Sequence, residues 1–242
     1  MLYLSRLRLQ PRHRDVQKDL SNCHALHSRI LSAFPLLPTP SSPRAEMGVL
    51  YRLEEAGRFP TVIVQSRLEP DWSRLPEGYL ASPAECKRVD DKYSRINQGD
   101  RFIFRLRANP TRRIARGNTE QAERWRGKRV ELQREEDQID WLIRKGDQHG
   151  FKLLSITVRQ QAVPNLRVLP NNKTHGWRQD AGGNRKLTFG SVQFEGVLEV
   201  TNRESFMQAL EQGIGSGKAF GFGLLSIAPA PGAQPPDEGD AP

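Results

Sequence analysis

His24 and His27 lie three residues apart in the segment DVQKDLSNCHALHSRILSAF, residues 15–34. Val16, Leu20, Cys23, Leu26, Ile30 and Phe34 recur there with helical spacing. Residues three apart occupy neighbouring faces of a helix. Cutting RNA without a metal requires a base that takes the 2′-OH proton and an acid that protonates the departing 5′-oxygen. Imidazole suits both tasks because it titrates near neutrality. The same spacing also fits a structural role. On a wheel of roughly 100° per residue, His27 falls about 20° from Val16 and Phe34, where a buried, hydrogen-bonded histidine would sit. If Ser21-Asn22 caps a shorter helix, His27 moves to the edge of a stripe through Leu26, Ile30 and Phe34 and could face a cleft. His13, His149 and His175 are isolated and expected at the surface. Glu54-Glu55 and Glu135-Glu136 read as turn and helix-start charges, not as ligands.

The charge balance points to a polyanion partner. Lys and Arg number 37 against 28 Asp and Glu, for a net +9, and 28 of the bases are Arg. Guanidinium recognises phosphate bidentately, which mere solubility does not require. Residues 101–130 hold ten bases and two acids, a density unlike a mixed solvated face. Phosphate-binding candidates there are Arg101, Arg105 and Arg107 on one strand face, then Arg112, Arg113 and Arg116, then Lys128 and Arg129. The stretch PNLRVLPNNKTHGWRQDAGGNRK reads as a long basic loop that could reach an RNA stem. It adds Arg167, Lys173, Arg178, Arg185 and Lys186, with Arg159 just before it. Arg12 and Arg14 precede the histidine segment. The bland alternative for the basic stretch is a protein–protein contact.

The glycine run GIGSGKAFGFG, residues 213–223, does not make a Walker A loop, because Gln212 and Ala219 stand where Gly and Ser/Thr are needed. It follows a helix and precedes a strand, the reverse of a nucleotide-binding turn. Two readings stay open: Gly215, Gly217 and Lys218 as a phosphate contact, or a tight turn packed on another domain.

These features sit on an order of elements that repeats. Residues 2–9 read as a strand, GVLYRLE and TVIVQSR as a hairpin, 71–80 as a short helix and 100–108 as a strand. Residues 128–133 read as another strand, REEDQIDWLIRKGDQHG as a helix, and FKLLSITVRQQAV and LTFGSVQFEGVLEV as strands. TNRESFMQALEQG is a capped helix and FGFGLLSIAP a last strand. Two βαββαβ units predict an α+β fold of tandem ferredoxin-like domains, 1–112 and 113–229, with a disordered acidic tail at 230–242. No apolar run is long enough for a membrane span, MLYLSRLRLQ lacks a signal peptide's apolar core, and Cys23 and Cys86 suit neither a disulfide framework nor a zinc site. A cytoplasmic setting without membrane contact is the expectation.

Four segments in order, LHSRILSAFP, FRLRANPT, FEGVLEV and GIGSGKAFGFGLLSIAP, resemble the CasE family, the precursor-RNA endoribonucleases of type I-E (Cascade) CRISPR systems. The resemblance spans about residues 1–229. It implies cleavage at the 3′ base of the CRISPR repeat stem-loop by metal-independent 2′-OH attack, with no cofactor. It further implies that the protein stays bound and joins other Cascade subunits; a non-catalytic repeat-RNA-binding subunit is the alternative. The family's catalytic histidine falls on His27. Its frequent tyrosine three residues earlier is replaced by His24, a possible second acid or base. No basic residue stands at Leu31 or Ser32, which leaves Arg29 as the nearest electrostatic helper.

Overall fold

The computed structural model describes residues 1–36, 43–114, 127–180 and 183–231. Arg116 and residues 232–242 of the tail lie outside these. The chain is a mixed α/β protein dominated by two antiparallel sheets.

The first sheet contains β1 (Tyr3–Arg8), β2 (Leu50–Glu54), β3 (Thr61–Ser66) and β4 (Glu85–Arg88), in the order β2-β3-β1-β4. Between β1 and β2 come α1 (Arg14–Leu20), α2 (Cys23–Leu31) and the short α3 (Pro43–Glu46). Leu7 and Leu9 from the β1 segment, Val62 and Val64 from β3, and Leu26 and Ile30 from α2 close one core. The period-2 and period-3.6 patterns thus face each other across one layer. The histidine segment is two helices, not one. Asn22 is extended (φ −141°, ψ 102°), and its side chain accepts from the His24 N–H, so the shorter, capped helix is the one formed. The short helix expected at 71–80 is only a 3₁₀ turn, Trp72–Arg74; α4 (Asp90–Ser94) follows β4.

The second sheet contains β5 (Arg101–Ala108) at its centre. Past β6 (Thr111–Arg113) and β7 (Arg129–Glu131) come α5 (Glu135–Gln148), β8 (Phe151–Leu153), β9 (Ser155–Val158) and β10 (Gln161–Pro164). These are followed by β11 (Leu166–Asp180), β12 (Gly183–Val200), α6 (Arg203–Gln212) and β13 (Leu225–Pro229). The sheet order is β11-β12-β5-β13, with β8 also on β12. Trp141 and Leu142 of α5 and Phe206 and Leu210 of α6 pack with Phe104, Leu106, Phe194 and Leu198.

The structure corrects several expectations. A boundary at 112 would cut the second sheet, because β5 pairs with β12 from Val192↔Ala108 to Glu199↔Arg101 and with β13 on its other side. The strand completing the first sheet is β4, whose ECKR sequence is wholly exposed and lacks apolar alternation. β7, inside the 128–133 strand reading, pairs only with β6 among the described residues. The 151–163 strand is three short ones, turned at Arg159 and Gln160 (φ 48° and 65°). The 164–186 loop is a β-ribbon: β11 runs against β12 from Leu166↔Gly196 to Asp180↔Gly183. Both ribbon strands extend past the core, so no apolar alternation marks them.

Buried polar bonds join the sheets. Arg52 donates through Nη1 to Ser226 Oγ (2.9 Å), and Gln65 Nε2 donates to Leu210 O (2.7 Å). Arg107, 7% exposed, donates to Ser191 Oγ (2.8 Å), Thr174 Oγ1 (3.1 Å) and Leu53 O (3.2 Å). Arg107→Ala is expected to lower the unfolding free energy by about 2–4 kcal/mol, because it strands three acceptors. Exposed Arg112→Ala is expected to stay within about 0.5 kcal/mol. Urea unfolding of the two variants measures the contrast.

Candidate active site

His27 sits where α2, β2 and the glycine run meet. The Tyr51 ring of β2 stacks on the imidazole (centroids 6.4 Å, 19°), and the Phe220 ring meets it edge-on (6.3 Å, 62°). Phe220 is held there by the run itself: Tyr51 Oη donates to Ala219 O (3.0 Å), and the Ile214 N–H donates to Gly223 O (2.9 Å). Gly217 and Gly221 flank the 3₁₀ turn Lys218–Phe220 with left-handed φ of 77° and 85°, a backbone that side chains with a Cβ rarely adopt. The run is thus a packed turn that sets Phe220 against the histidine and carries Lys218 two residues earlier.

The consequence for His27 is desolvation. Burial, then the charges of His24 and Arg44, push its pKa down to about 4. Its Nδ1 is enclosed without a hydrogen-bond partner among the described residues. The lowered pKa leaves the imidazole neutral at pH 7, the form that can accept a proton. His24, one turn earlier, is half-buried, and its N–H is held by the Asn22 cap (3.1 Å). Asn22 Oδ1 also accepts the Trp177 N–H of β11 (3.1 Å), which ties the ribbon to the helix that carries both histidines.

Arg29 is not where the helper role would need it. Two residues on from His27, it faces another way. Its Nε donates to Asp19 Oδ2 (2.8 Å), and its guanidinium lies over the Tyr79 ring. Arg44 is the cation that sequence reasoning misses: it acts on both His27 and Lys218, and nothing in its PRAE context marks it. Tyr51 escapes it as well, being indistinguishable in sequence from an ordinary core residue.

The expected phosphate-binding residues divide into an engaged group and an exposed one. Arg101 pairs with Glu199 (3.0 Å), Arg105 with Glu195 (2.7 Å) and Glu54 (3.0 Å), and Arg107 is interred at the sheet joint. The face they form is therefore an intramolecular lattice, because β12 places its glutamates in register with the β5 arginines. Arg12, Arg14, Arg112, Arg113, Lys128, Arg129, Arg159 and Arg167 are exposed. Lys173, also exposed, approaches Glu131 (3.8 Å), and Lys186 lies over the exposed Trp177 ring (5.8 Å). Arg178 and Arg185 are backbone partners across the ribbon.

Two antiparallel sheets thus bring together a desolvated imidazole, two aromatic rings and the charge of Arg44. A family model described as "CRISPR associated protein" matches residues 2–229, and the chain belongs to that family. It is 34% identical over 232 residues to the CRISPR-associated endoribonuclease Cse3 of Thermus thermophilus, covering 94% of this chain and 100% of that one. It is 31% identical over 200 residues to the Cascade subunit CasE of Escherichia coli, covering 78% and 86%. The structure of Thermus thermophilus Cse3 with an RNA representing a pre-cleavage complex superposes with a TM-score of 0.70, at 34% identity, over 94% of this chain and 99% of that one. No helix of the described residues is long and apolar enough to cross a membrane.

A desolvated histidine links stability to pH. An unfolded His27 would titrate near 6.5, whereas the folded one resists protonation until about 4. The stabilisation is complete above pH 6.5 and is lost as pH falls from there toward 4. His27→Gln is therefore expected to flatten the fall of melting temperature between about pH 7 and pH 4 relative to the parent chain. Parallel curves would show that His27 titrates normally.

Proposed function

We propose that the protein is an endoribonuclease that cuts CRISPR repeat RNA at the 3′ base of the repeat stem-loop and remains bound to the product as a Cascade subunit. The observation that carries this reading is the setting of His27: a desolvated, neutral imidazole packed between Tyr51 and Phe220, with the charge of Arg44 acting on it. The similarity to Cse3 and CasE, through most of the chain, supports the same substrate.

The reaction needs no group beyond those of the chain and the RNA. Nε2 of His27 accepts the 2′-OH proton as the 2′-oxygen forms a bond to the adjacent phosphorus. The bond from phosphorus to the 5′-oxygen breaks, leaving a 2′,3′-cyclic phosphate. The leaving oxygen takes a proton from the imidazolium or from His24. Lys218 and Arg44 offset the charge that builds on the phosphoryl oxygens. The scissile phosphate itself favours the protonated imidazole, raising a pKa that burial had depressed.

We read each sheet, with its helices, as a ferredoxin-like βαββαβ unit. The strand order β2-β3-β1-β4 of the first is matched by β8-β12-β5-β13 in the second. On that reading the units meet between β4 and β5. The exposed cations of the β6/β7 region and the ribbon grip the stem.

Labelled repeat RNA incubated with excess EDTA is expected to give one discrete cut. His27→Ala should still bind the RNA but lose at least about a hundredfold in single-turnover rate. Arg29→Ala, which frees Asp19, should lose stability and keep its cutting rate. Cleavage by His27→Ala at the parent rate would refute the assignment.

A further inference from the structure

A second group of cations gathers away from His27, and of its members only Lys218 is shared with the chemistry proposed there. A cavity of about 340 Å³ opens between the β6/β7 pair, the C-terminal end of α5 and the glycine run; Arg113, Arg129, Lys145, His149 and Lys218 line it, and no carboxylate of the described residues does. None of these five forms an ion pair among the described residues. Arg6, Arg8, Arg29, Arg52, Arg101 and Arg105, by contrast, each have a carboxylate partner.

The cluster works against folding. Arg113 and Arg129 are directly opposite one another across β6 and β7, a like-charge pairing that destabilises a ladder. Burial and the neighbouring cations hold three more groups below their ordinary pKa values. For Lys145 the neighbours are Arg129 and Arg144, for His149 they are Lys145 and Lys218, and for Lys218 they are Arg44 and Lys145. The negative end of the α5 dipole would favour Lys145 and His149. It does not explain the two arginines or Lys218, which come from other elements. Gly213 and Gly215 also line the cavity, and at Gly215 (φ 84°) a Cβ would meet the Trp141 ring at 3.1 Å. Cations converging from four elements on one cavity without a lining carboxylate among the described residues suit a multivalent oxyanion. Lys218 also connects the cavity to the histidine, because Phe220, two residues on in the same turn, packs on His27.

We infer that this cavity is a phosphate subsite for the RNA backbone next to the scissile bond, an inference that rests on the cleavage reaction proposed above. It assigns RNA binding to Lys145 and His149, two residues that helix and surface patterns conceal. The phosphate could belong to the strand retained with the stem or to the segment released by the cut, and the chemistry is the same for both.

Binding of two RNAs separates these sources: a repeat stem-loop with 2′-deoxyribose at the cleavage position and its full 3′ segment, and the same stem-loop ending at the cut. The protein and its Arg129→Gln/Lys145→Gln variant are titrated with each over a range of salt. Since the variant removes repulsion, its melting temperature should equal or exceed that of the parent, so a drop in affinity would not reflect a drop in folding. With the full RNA the variant is expected to bind at least about tenfold more weakly, and its salt slope should fall by roughly 0.7 for each phosphate no longer neutralised. If that weakening vanishes on the RNA ending at the cut, the phosphate belongs to the released segment; if it persists, to the retained strand. Unchanged affinity and slope on both RNAs would overturn the subsite while leaving the cleavage reaction intact. A parent protein that neither binds nor cuts the repeat would overturn both.

Discussion

The constraint on which the rest of the structure depends is the exclusion of water from one face of His27. An imidazole on a helix of nine residues would ordinarily be wetted and titrate near neutrality. Here Tyr51 closes one side and Phe220 another, and neither ring belongs to the helix. Tyr51 comes from the first sheet and Phe220 from the turn before the last strand of the second. Their meeting therefore requires both sheets to be locked together, which Arg52, Gln65 and Arg107 accomplish with bonds across the joint. The glycine run is part of the same device: left-handed glycines let the backbone fold tightly enough to place Phe220 against the ring. Asn22 closes the circuit by capping the helix and holding the ribbon edge with one oxygen. Stability and chemistry share these interactions, so the local cost of an unpartnered Nδ1 is met by packing elsewhere.

The arginine excess serves two purposes that composition cannot separate. One set acts inside the protein, where β12 places Glu195 and Glu199 opposite Arg105 and Arg101, and where Arg107 is buried. A second set, Arg113 and Arg129 beside the cavity with Lys145 and Lys218, has no carboxylate partner among the described residues. Its mutual repulsion is stored in the free protein and released when phosphate arrives. The same residue type thus holds the sheets together and awaits the substrate, and only register and burial tell the two roles apart.

How much of this is legible in the sequence follows from where each signal originates. The histidine helix, its cap at Asn22, the β2/β3 hairpin and the α6 cap can be read because each is a local pattern. His27 is readable as a candidate, and its position at the edge of the apolar stripe is what the structure displays. The unit boundary is hidden because β4 has the wholly polar sequence ECKR and gains its place by pairing with β1, a long-range interaction. The ribbon reads as a loop because it extends past the core and needs no apolar face. Arg29 suggests itself as the helper by proximity in sequence, although two residues along a helix turns it toward Asp19. Arg44, Tyr51 and the cavity cations Lys145 and His149 leave no signal, because they come together only when separate elements fold against one another.

On the proposed reading His27 stays desolvated and neutral until a phosphate reaches it. NMR titration of the His27 imidazole tests it directly, in the free protein and in the complex with a repeat RNA carrying 2′-deoxyribose at the cleavage position. A midpoint near 4 is expected in the free protein, with a clear rise toward neutrality in the complex. A midpoint at the ordinary histidine value in the free protein, or one that does not move when RNA binds, would contradict it.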